Sequence, residues 1–600
     1  MIREAAACWI PRRRPACAGD DGHCKLPTPP RFDNALATRA GRGYNAATMS
    51  KPLPSMSTNK PSITSTSATE GARDAFTRLT FLGWSGGVAA TVAGLAVSFA
   101  LFGYAIIYWR NADMDFMVIY NALVMNDGKP QHFFDHTAYL TILTVKSWFA
   151  LLHGLGLLDA WTLPAIPPAT DGPAFDAAMT QAVRAGRVLA FLIATASVVI
   201  FAGLARAILR DWRVALLATL AFALSGGVAV HSRILRSEFV AAMPVIFALM
   251  ILITVGRRAL LVRPLALALA AFLCMLGLEN KVQAILLIAT VPVIILPFGG
   301  GASASVAFWR TPSAWLVAAL AAIAAAIAAW TAWPLVATGF DRALLDAAQF
   351  HPLLAGRYGL YQALLTCLII GCMIAYAVIW RISRAETIAS IAALVAGAAL
   401  ALLMLDLDYD TSNVIAVINP LEKMLTFADA RTAGAASGSS LGAVLLLMLD
   451  GLGSVLARYS FVLHSSPRPT VFLTWLIVPG IVMAWRRRQG KSALQASALM
   501  LAALAIDLLG VRRGLKSEYF IFTDPLIVLA GAILLDRMRD LRFHTWAYPI
   551  AMILFGLHIA VGQAEPVKYA SKRTGPESIC EWNNYYMPLL PLPWCPASRT

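Results

Sequence analysis

Residues 111–153 read NADMDFMVIYNALVMNDGKPQHFFDHTAYLTILTVKSWFALLH, a polar insertion between long apolar runs. Asp113, Asp115, Asp127, Asp135 and His136 crowd into it directly after the first run suited to cross a membrane, residues 82–108. A chain that only had to fill a bilayer would have no use for so many carboxylates there. The insertion separates a membrane enzyme from a generic transporter.

The rest of the chain sets the solvent. Of 600 residues, 58% are hydrophobic and 14% charged, and the mean hydropathy is +0.67. A soluble chain carries about 25% charged residues. The apolar runs recur near the length of about 20 residues that a helix needs to cross hydrocarbon. Irregular backbone cannot face lipid, and these runs are too long and too continuous for barrel strands, so the spans are helices. The expected fold is therefore an all-α polytopic membrane protein. About 13 spans are expected, over 82–108, 188–204, 214–230, 239–255, 265–276, 282–298, 314–336, 358–379, 388–405, 471–485, 494–509, 520–535 and 546–561.

The net charge of +16 does not indicate a nucleic-acid partner, because much of it lies in short clusters at span ends. Placing ARAILRDWR, GRRALLVRP, WRISR and WRRRQGK in the cytoplasm gives a consistent alternation, with the N-terminus inside and the C-terminal tail outside. Two further stretches, 137–158 and 441–463, contain Lys146 and His153, or Asp450 and Arg458. They read as amphipathic or re-entrant helices at the outer surface. The expected domains are a disordered cytoplasmic tail (1–75), a transmembrane domain (76–561, with the first external loop at 111–186) and a short external tail (562–600). The first tail is rich in Pro, Ser, Thr and Gly and holds no apolar signal core; Met49 is an alternative start. The eight cysteines form no CxxC pair, so neither a zinc nor a redox site is expected. Cys580 and Cys595 are either disulfide-bonded or two separate thiols.

This topology puts 111–186, 231–238, 277–280, 338–357 and 406–440 on one non-cytoplasmic face. Asp113 and Asp115, two apart, would diverge by about 200° on one helix. Asp115 before FMVIYNAL suits a helix start, where a carboxylate is favourable. Both aspartates either only cap that helix, or one of them faces a cavity at the membrane boundary. There it would deprotonate an acceptor hydroxyl or hold a divalent cation such as Mg2+ or Mn2+. Asp135 is read as the N-cap of a second loop helix. His136 beside it either meets a phosphate, ligates a metal or sits at the water interface.

HSRILRSE packs His231, Arg233, Arg236 and Glu238 between two spans. It is an ordinary solvated loop or, since external basic residues run against the charge bias, a site for an anionic headgroup. Lys281 in GLENKVQ and Arg357 in HPLLAGRYG, which also holds His351, extend the phosphate reading. Alternatively Glu279 and Lys281 are a water-exposed pair of little value. Asp507, inside ALAIDLLG, either faces a partner or cavity or lies at the interface.

Taken together, the layout resembles the GT-C membrane glycosyltransferases, which use polyprenyl-phosphate-linked sugars. That superfamily has an acidic residue just past span one and two juxtamembrane helices before span two. Here NADMDF plus VIYNALVMNDG and then FFDHTAYLTILTVKSWFALLHGLGLL correspond, and AVRAGRVLAFLIA opens span two. The resemblance covers roughly 82–561. It implies Asp113 or Asp115 as base toward the acceptor or as metal ligand, and Arg233, Arg236 and Glu238 as the second-loop set. Lys281, His351 or Arg357 would bind the donor phosphate. The implied activity is hexosyl or pentosyl transfer from a polyprenyl-phosphate donor to a lipid, glycan or protein acceptor, with inversion, on the external face of the membrane; the Ala/Arg-rich composition points to a bacterial inner membrane. The short external tail departs from members that carry a folded periplasmic domain there. Alternatives are a transporter or flippase of a lipid-linked saccharide, expected to show an internal repeat and midplane charges, and a polymerase or ligase of lipid-linked glycans.

Overall fold

The computed structural model describes residues 66–108, 115–129, 138–256, 263–299, 306–337, 351–408, 419–421, 424, 441–460, 468–511, 517–538, 544–564, 567–568, 578–586 and 592–595. Two compact units are distinguished, Met1–Arg78 and Leu79–Thr600. The first is described only over 66–78, which is helical, and all that follows concerns the second.

Among the described residues every regular element is helical. In chain order they are α1 (Thr66–Phe99, running on as a π-helical turn to Tyr104), α2 (Asp115–Asn126), α3 (Tyr139–Gly154), α4 (Gly172–Ile208), α5 (Trp212–Ala223), α6 (Gly226–His231), α7 (Ser237–Gly256), α8 (Arg263–Asn280) and α9 (Ala284–Ile295). Then come α10 (Pro312–Ala337), α11 (Gly359–Ile379), α12 (Arg384–Asp408), α13 (Leu441–Ser460), α14 (Val471–Arg486), α15 (Gly490–Leu509), α16 (Asp524–Met538), α17 (His544–Gly562) and α18 (Ile579–Tyr586). α1 starts at Thr66, so helix reaches into the tail expected to be disordered through residue 75.

Among the described residues eight helices are long and apolar enough to cross a bilayer, which makes this a multi-pass membrane protein. The other five expected spans fall on helices of 12, 12, 16, 15 and 19 residues. The clearest change is at 214–230. There α5 ends at Ala223, and Ser225 accepts from Val228 N to start the separate short helix α6. The Gly226–Gly227 pair breaks what hydropathy alone reads as one span.

α4 shows how the membrane part and the outer part are joined. Asp171 caps it by accepting from Ala174 N, and its 37 residues make about 55 Å of helix against about 30 Å of hydrocarbon. The first turns therefore stand clear of the bilayer, and Phe175, Met179 and Val183 pack there against α2 and α3. α3 has 16 residues, or about 24 Å, and carries Lys146 and His153 within that length. It starts at Tyr139 with Ala138 at its N-cap position, while Asp135, the cap expected from sequence, lies outside the described residues. α2 does begin at Asp115.

Small residues set the spacing of the spans. A Cβ at Gly277 would run into Ala241 O of α7, and one at Gly397 into Ala268 O of α8, so α8 is held close between α7 and α12. The largest core joins α4, α5, α7, α9, α14, α15 and α16. On α10 and α11, Leu316, Ile327, Trp330 and Val378 are exposed, as lipid-facing positions should be. Cys580 and Cys595 form a disulfide. The adjoining Trp594 sits edge-on to Phe116 and Tyr120 of α2 and to Phe175 of α4.

A candidate site in a buried ionic network

Chain direction places the N-terminus of α7 and the C-terminus of α8 at one end of the bundle. Charged side chains meet there. Lys281 Nζ lies 3.0 Å from Glu238 Oε1, and Arg236 Nε lies 3.5 Å from Glu238 Oε2. Arg236 Nη2 reaches Glu518 Oε1 at 3.5 Å. Lys281 and Glu238 are each 1% exposed, so this is no water-exposed pair, and the partner of Lys281 is Glu238 rather than Glu279. Arg236, with 10% of its side chain exposed, is the cation nearest the surface.

His231 completes the cluster. Its Nδ1 is 2.7 Å from Gly227 O, which can only accept, so Nδ1 carries the proton. Nε2 then points a bare lone pair toward Glu238 Oε2, 4.0 Å away, and has no hydrogen-bond partner. Burial pushes the imidazole down to about 4, against the pull of Glu238 and helped by Arg236. At neutral pH it is an uncharged acceptor. Two further side chains of this region, Glu279 and Gln283, are buried with neither oxygen of the first and neither amide atom of the second hydrogen-bonded. Such groups cost free energy to bury unless something meets them.

The network continues inward through α6. Gly227 N donates to Asp524 Oδ2 at 3.3 Å, and Asp524 Oδ1 accepts from Arg468 Nη2 at 3.2 Å. Arg468 also bonds Asp507 Oδ2, Thr523 Oγ1, Thr470 Oγ1 and Tyr459 Oη, with Tyr459 and Phe520 rings over its guanidinium at 4.8 and 4.7 Å. Its charge is held against burial by Asp507, Tyr459 and Asp524, which raise it above the ordinary guanidinium range. Asp507 thus faces a partner. Arg468 and Asp524 were not singled out from sequence, and the only signal was an external arginine in SSPRPT and a TDP helix start.

The first external loop is tied to this end. Ala138 N donates to Asn280 O at 2.9 Å, and Thr141 N and Oγ1 both donate to Asn280 Oδ1 at 3.0 Å. Asn280 Nδ2 donates in turn to Ser237 O at 2.7 Å. One asparagine therefore clamps α3, α7 and α8, next to Lys281.

Of the residues picked from sequence, the structure gathers His231, Arg236, Glu238 and Lys281. Arg233 turns elsewhere. It is 3% exposed and bonds Ser98, Ala229 and Gln563, tying α6 to α1 and α17, and burial lowers it to about 10. His351 and Arg357 sit around Tyr358, ring to ring at 5.9 Å and cation to ring at 6.0 Å. Asp113, Asp135 and His136 lie outside the described residues, as does the side chain of Asp115. The divalent metal expected at Asp113 and Asp115 falls there too. Among the described residues no three His, Cys, Asp or Glu side chains stand together as a metal site.

Fold and site define a helical multi-pass membrane protein with a buried ionic network at one end of its spans. No family model and no curated protein matches the sequence. Among solved structures, the archaeal oligosaccharyltransferase AglB from Archaeoglobus fulgidus, in complex with an inhibitory peptide and a dolichol-phosphate, aligns at 12% identity and a TM-score of 0.44. The alignment covers 85% of this chain and 60% of that one, so the chain spans less than two thirds of that protein's length.

Proposed function

We propose that this chain is a membrane glycosyltransferase, moving a hexosyl or pentosyl group from a polyprenyl-phosphate carrier to a lipid, glycan or protein acceptor on the non-cytoplasmic face. The observation that carries this reading is the docking of α3 through Ala138 and Thr141 on Asn280, one residue before the buried Lys281–Glu238 pair. Two short helices after span one, brought against a charged, water-poor end of the bundle, are what the layout of residues 111–158 calls for.

In this reading the isoprenoid tail stays in lipid and only the phosphate and sugar enter. Arg236, at the surface of the network, meets the phosphate first, and Lys281 supplies a second cation behind it. The acceptor oxygen attacks the anomeric carbon and gives its proton to Asp113 or Asp115. The bond from that carbon to the phosphate oxygen breaks, and the electron pair leaves with the polyprenyl phosphate. A single displacement inverts the anomeric carbon. Fixed cations in a dry site stabilise the developing phosphate charge without reorganising solvent. Residence in the bacterial inner membrane, with this site facing the periplasm, completes the proposal. A polymerase or ligase of lipid-linked glycans would share the donor chemistry and differ in its acceptor.

The test is incubation of the full chain in lipid with a radiolabelled polyprenyl-phosphate sugar, with and without EDTA. Transfer or donor hydrolysis is expected, falling by about 10²–10⁴ in Asp113→Asn or Asp115→Asn. Loss of signal in EDTA would show that transfer needs a divalent metal. Full activity in both variants would overturn the assignment of the base.

A further inference from the structure

Apart from the ionic network, a groove of about 760 Å³ opens between the end of span one, α3 and the outer turns of α4. One wall is a stripe along α4, Asp176, Thr180, Gln181 and Arg184, whose spacing puts them on one helix face. Trp148 and Tyr104 line it as well. None of its lining residues belongs to the His231–Lys281 cluster or to the Arg468 network.

The bonds around the groove determine what it can offer. Trp148 Nε1 donates to Ala185 O at 3.0 Å, so the indole edge is spent and the ring surface is what remains for a ligand. Tyr108 donates to Asp176 Oδ1 at 2.7 Å, which leaves Oδ2 of that carboxylate for another donor. Arg184, an exposed side chain, rests over the Tyr104 ring at 5.2 Å. One carboxylate and one guanidinium cancel. An anionic ligand would have to tolerate Asp176, and a cationic one Arg184. A neutral ligand rich in hydroxyls, each both donor and acceptor, can satisfy Asp176, Thr180, Gln181 and Arg184 together. The C–H face of a sugar ring would lie on Trp148 while its hydroxyl edge meets α4.

The rim indicates how such a ligand is carried. Val188, where the apolar run of α4 begins, also lines the groove. The end of α3 and the following turn expose Leu151, Leu155 and Leu157 at 53%, 63% and 63%. Exposed leucines at the hydrocarbon edge suit a ligand with an acyl anchor.

We propose that this groove is a second saccharide site, which binds the neutral sugar headgroup of a lipid in the outer leaflet. The site goes beyond the transfer reading, and its test is a binding measurement that needs no turnover. Full-length protein is equilibrated with monoglucosyl diacylglycerol, unglycosylated diacylglycerol and phosphatidylglycerol of identical acyl chains, and bound lipid is counted by native mass spectrometry. The glucosyl lipid should be retained about tenfold over the other two. Asp176→Ala and Gln181→Ala, both at exposed side chains, should each cut that retention about tenfold, as loss of a ligand hydrogen bond does. An unchanged thermal transition shows that the variants fold. Equal retention of the unglycosylated lipid would make the groove an apolar surface only. Preference for phosphatidylglycerol, lost in Arg184→Gln but kept in Asp176→Ala, would make it a phosphate site. Glucosyl-lipid retention unchanged in both alanine variants would also overturn the proposal.

Discussion

The two ends of the helix bundle treat buried charge differently. At the basic end, Arg263 meets Glu386 at 2.8 Å beneath the Trp380 ring, and Asp536 Oδ1 accepts the backbone N–H groups of Arg210 and Asp211. Arg263 and Glu386 answer each other one to one, although Arg263 Nε has no hydrogen bond, and Asp536 takes backbone donors that a helix end leaves over. At the other end Glu238 is shared by Lys281 and Arg236, Arg468 answers two aspartates, and His231 Nε2 and Glu279 are left without a hydrogen bond. A closed pair sets one cation against one carboxylate. An open one holds unspent donors and acceptors in a dry place, which is what a reacting ligand requires.

The largest effects should come from breaking one pair at each end. Arg263→Met removes the ion-pair partner of the buried Glu386 and should cost about 3–5 kcal/mol in thermal unfolding, while Lys281→Met should cost less, because Glu238 keeps Arg236. Replacing the partner as well separates the ends. Arg263→Met with Glu386→Leu should recover wild-type stability and leave glycosyl transfer within about threefold, because the pair only fills space. Lys281→Met with Glu238→Gln should also recover much of its stability, yet transfer should stay down by about 10²–10³. If both double variants transfer sugar normally, the difference between the ends is structural and carries no function.

Next in size is the pH response of the open end. Burial lowers His231 to about 4, against 6.5 for an ordinary imidazole. Between those values the unfolded chain binds a proton that the folded chain refuses, so stability rises with pH. The contribution is fully present above about pH 6.5 and is lost as pH falls toward 4, to a total of about 3 kcal/mol. His231→Asn keeps a donor for Gly227 O and has no proton to gain. Its stability between pH 4 and 6.5 should be flatter than that of wild type by this amount. Parallel curves for the two proteins would show that His231 does not carry the response.

The ends were not equally legible in the sequence. The basic end follows from charge counting, since ARAILRDWR, WRISR and WRRRQGK stand at helix ends whatever they touch. The open end required knowing which loops meet. His231, Arg236, Glu238 and Lys281 were legible because basic residues on an external face contradict the charge bias. Arg233, three residues before Arg236, carries the same signal but turns to Ser98 and Gln563, and helical phase within so short a loop cannot be read from spacing. Arg468 and Asp524 escaped notice because each is a lone charge beside a proline, and their importance lies in a contact across 56 residues. The break between α5 and α6 escaped for a different reason. Hydropathy averages over Ser225–Gly226–Gly227, while a serine cap and two glycines re-aim the backbone.

The smallest effect tests the joint that the functional reading depends on. Thr141 Oγ1 gives Asn280 one of the three hydrogen bonds that tie the start of α3 to α8, and the backbone N–H groups of Thr141 and Ala138 give the others. Thr141→Val keeps shape and β-branching and removes only the hydroxyl bond, so the expected cost is about 1 kcal/mol. If that bond does nothing but stabilise, hydrogen exchange should quicken evenly through the bundle and transfer should be unchanged at temperatures below unfolding. If it seats the first external loop beside Lys281, exchange should quicken in α3 while α7 and α8 stay protected, and transfer should fall several-fold. The loss should appear in turnover rather than donor affinity, because the hydroxyl touches neither phosphate nor sugar. Asn280→Asp gives the sharper version. It retains both acceptor contacts from Thr141 but loses the donation to Ser237 O, so it loosens α7 instead of α3. A turnover defect confined to Thr141→Val would locate the functional joint between the loop and α8, whereas equal defects in both would assign it to the clamp as a whole.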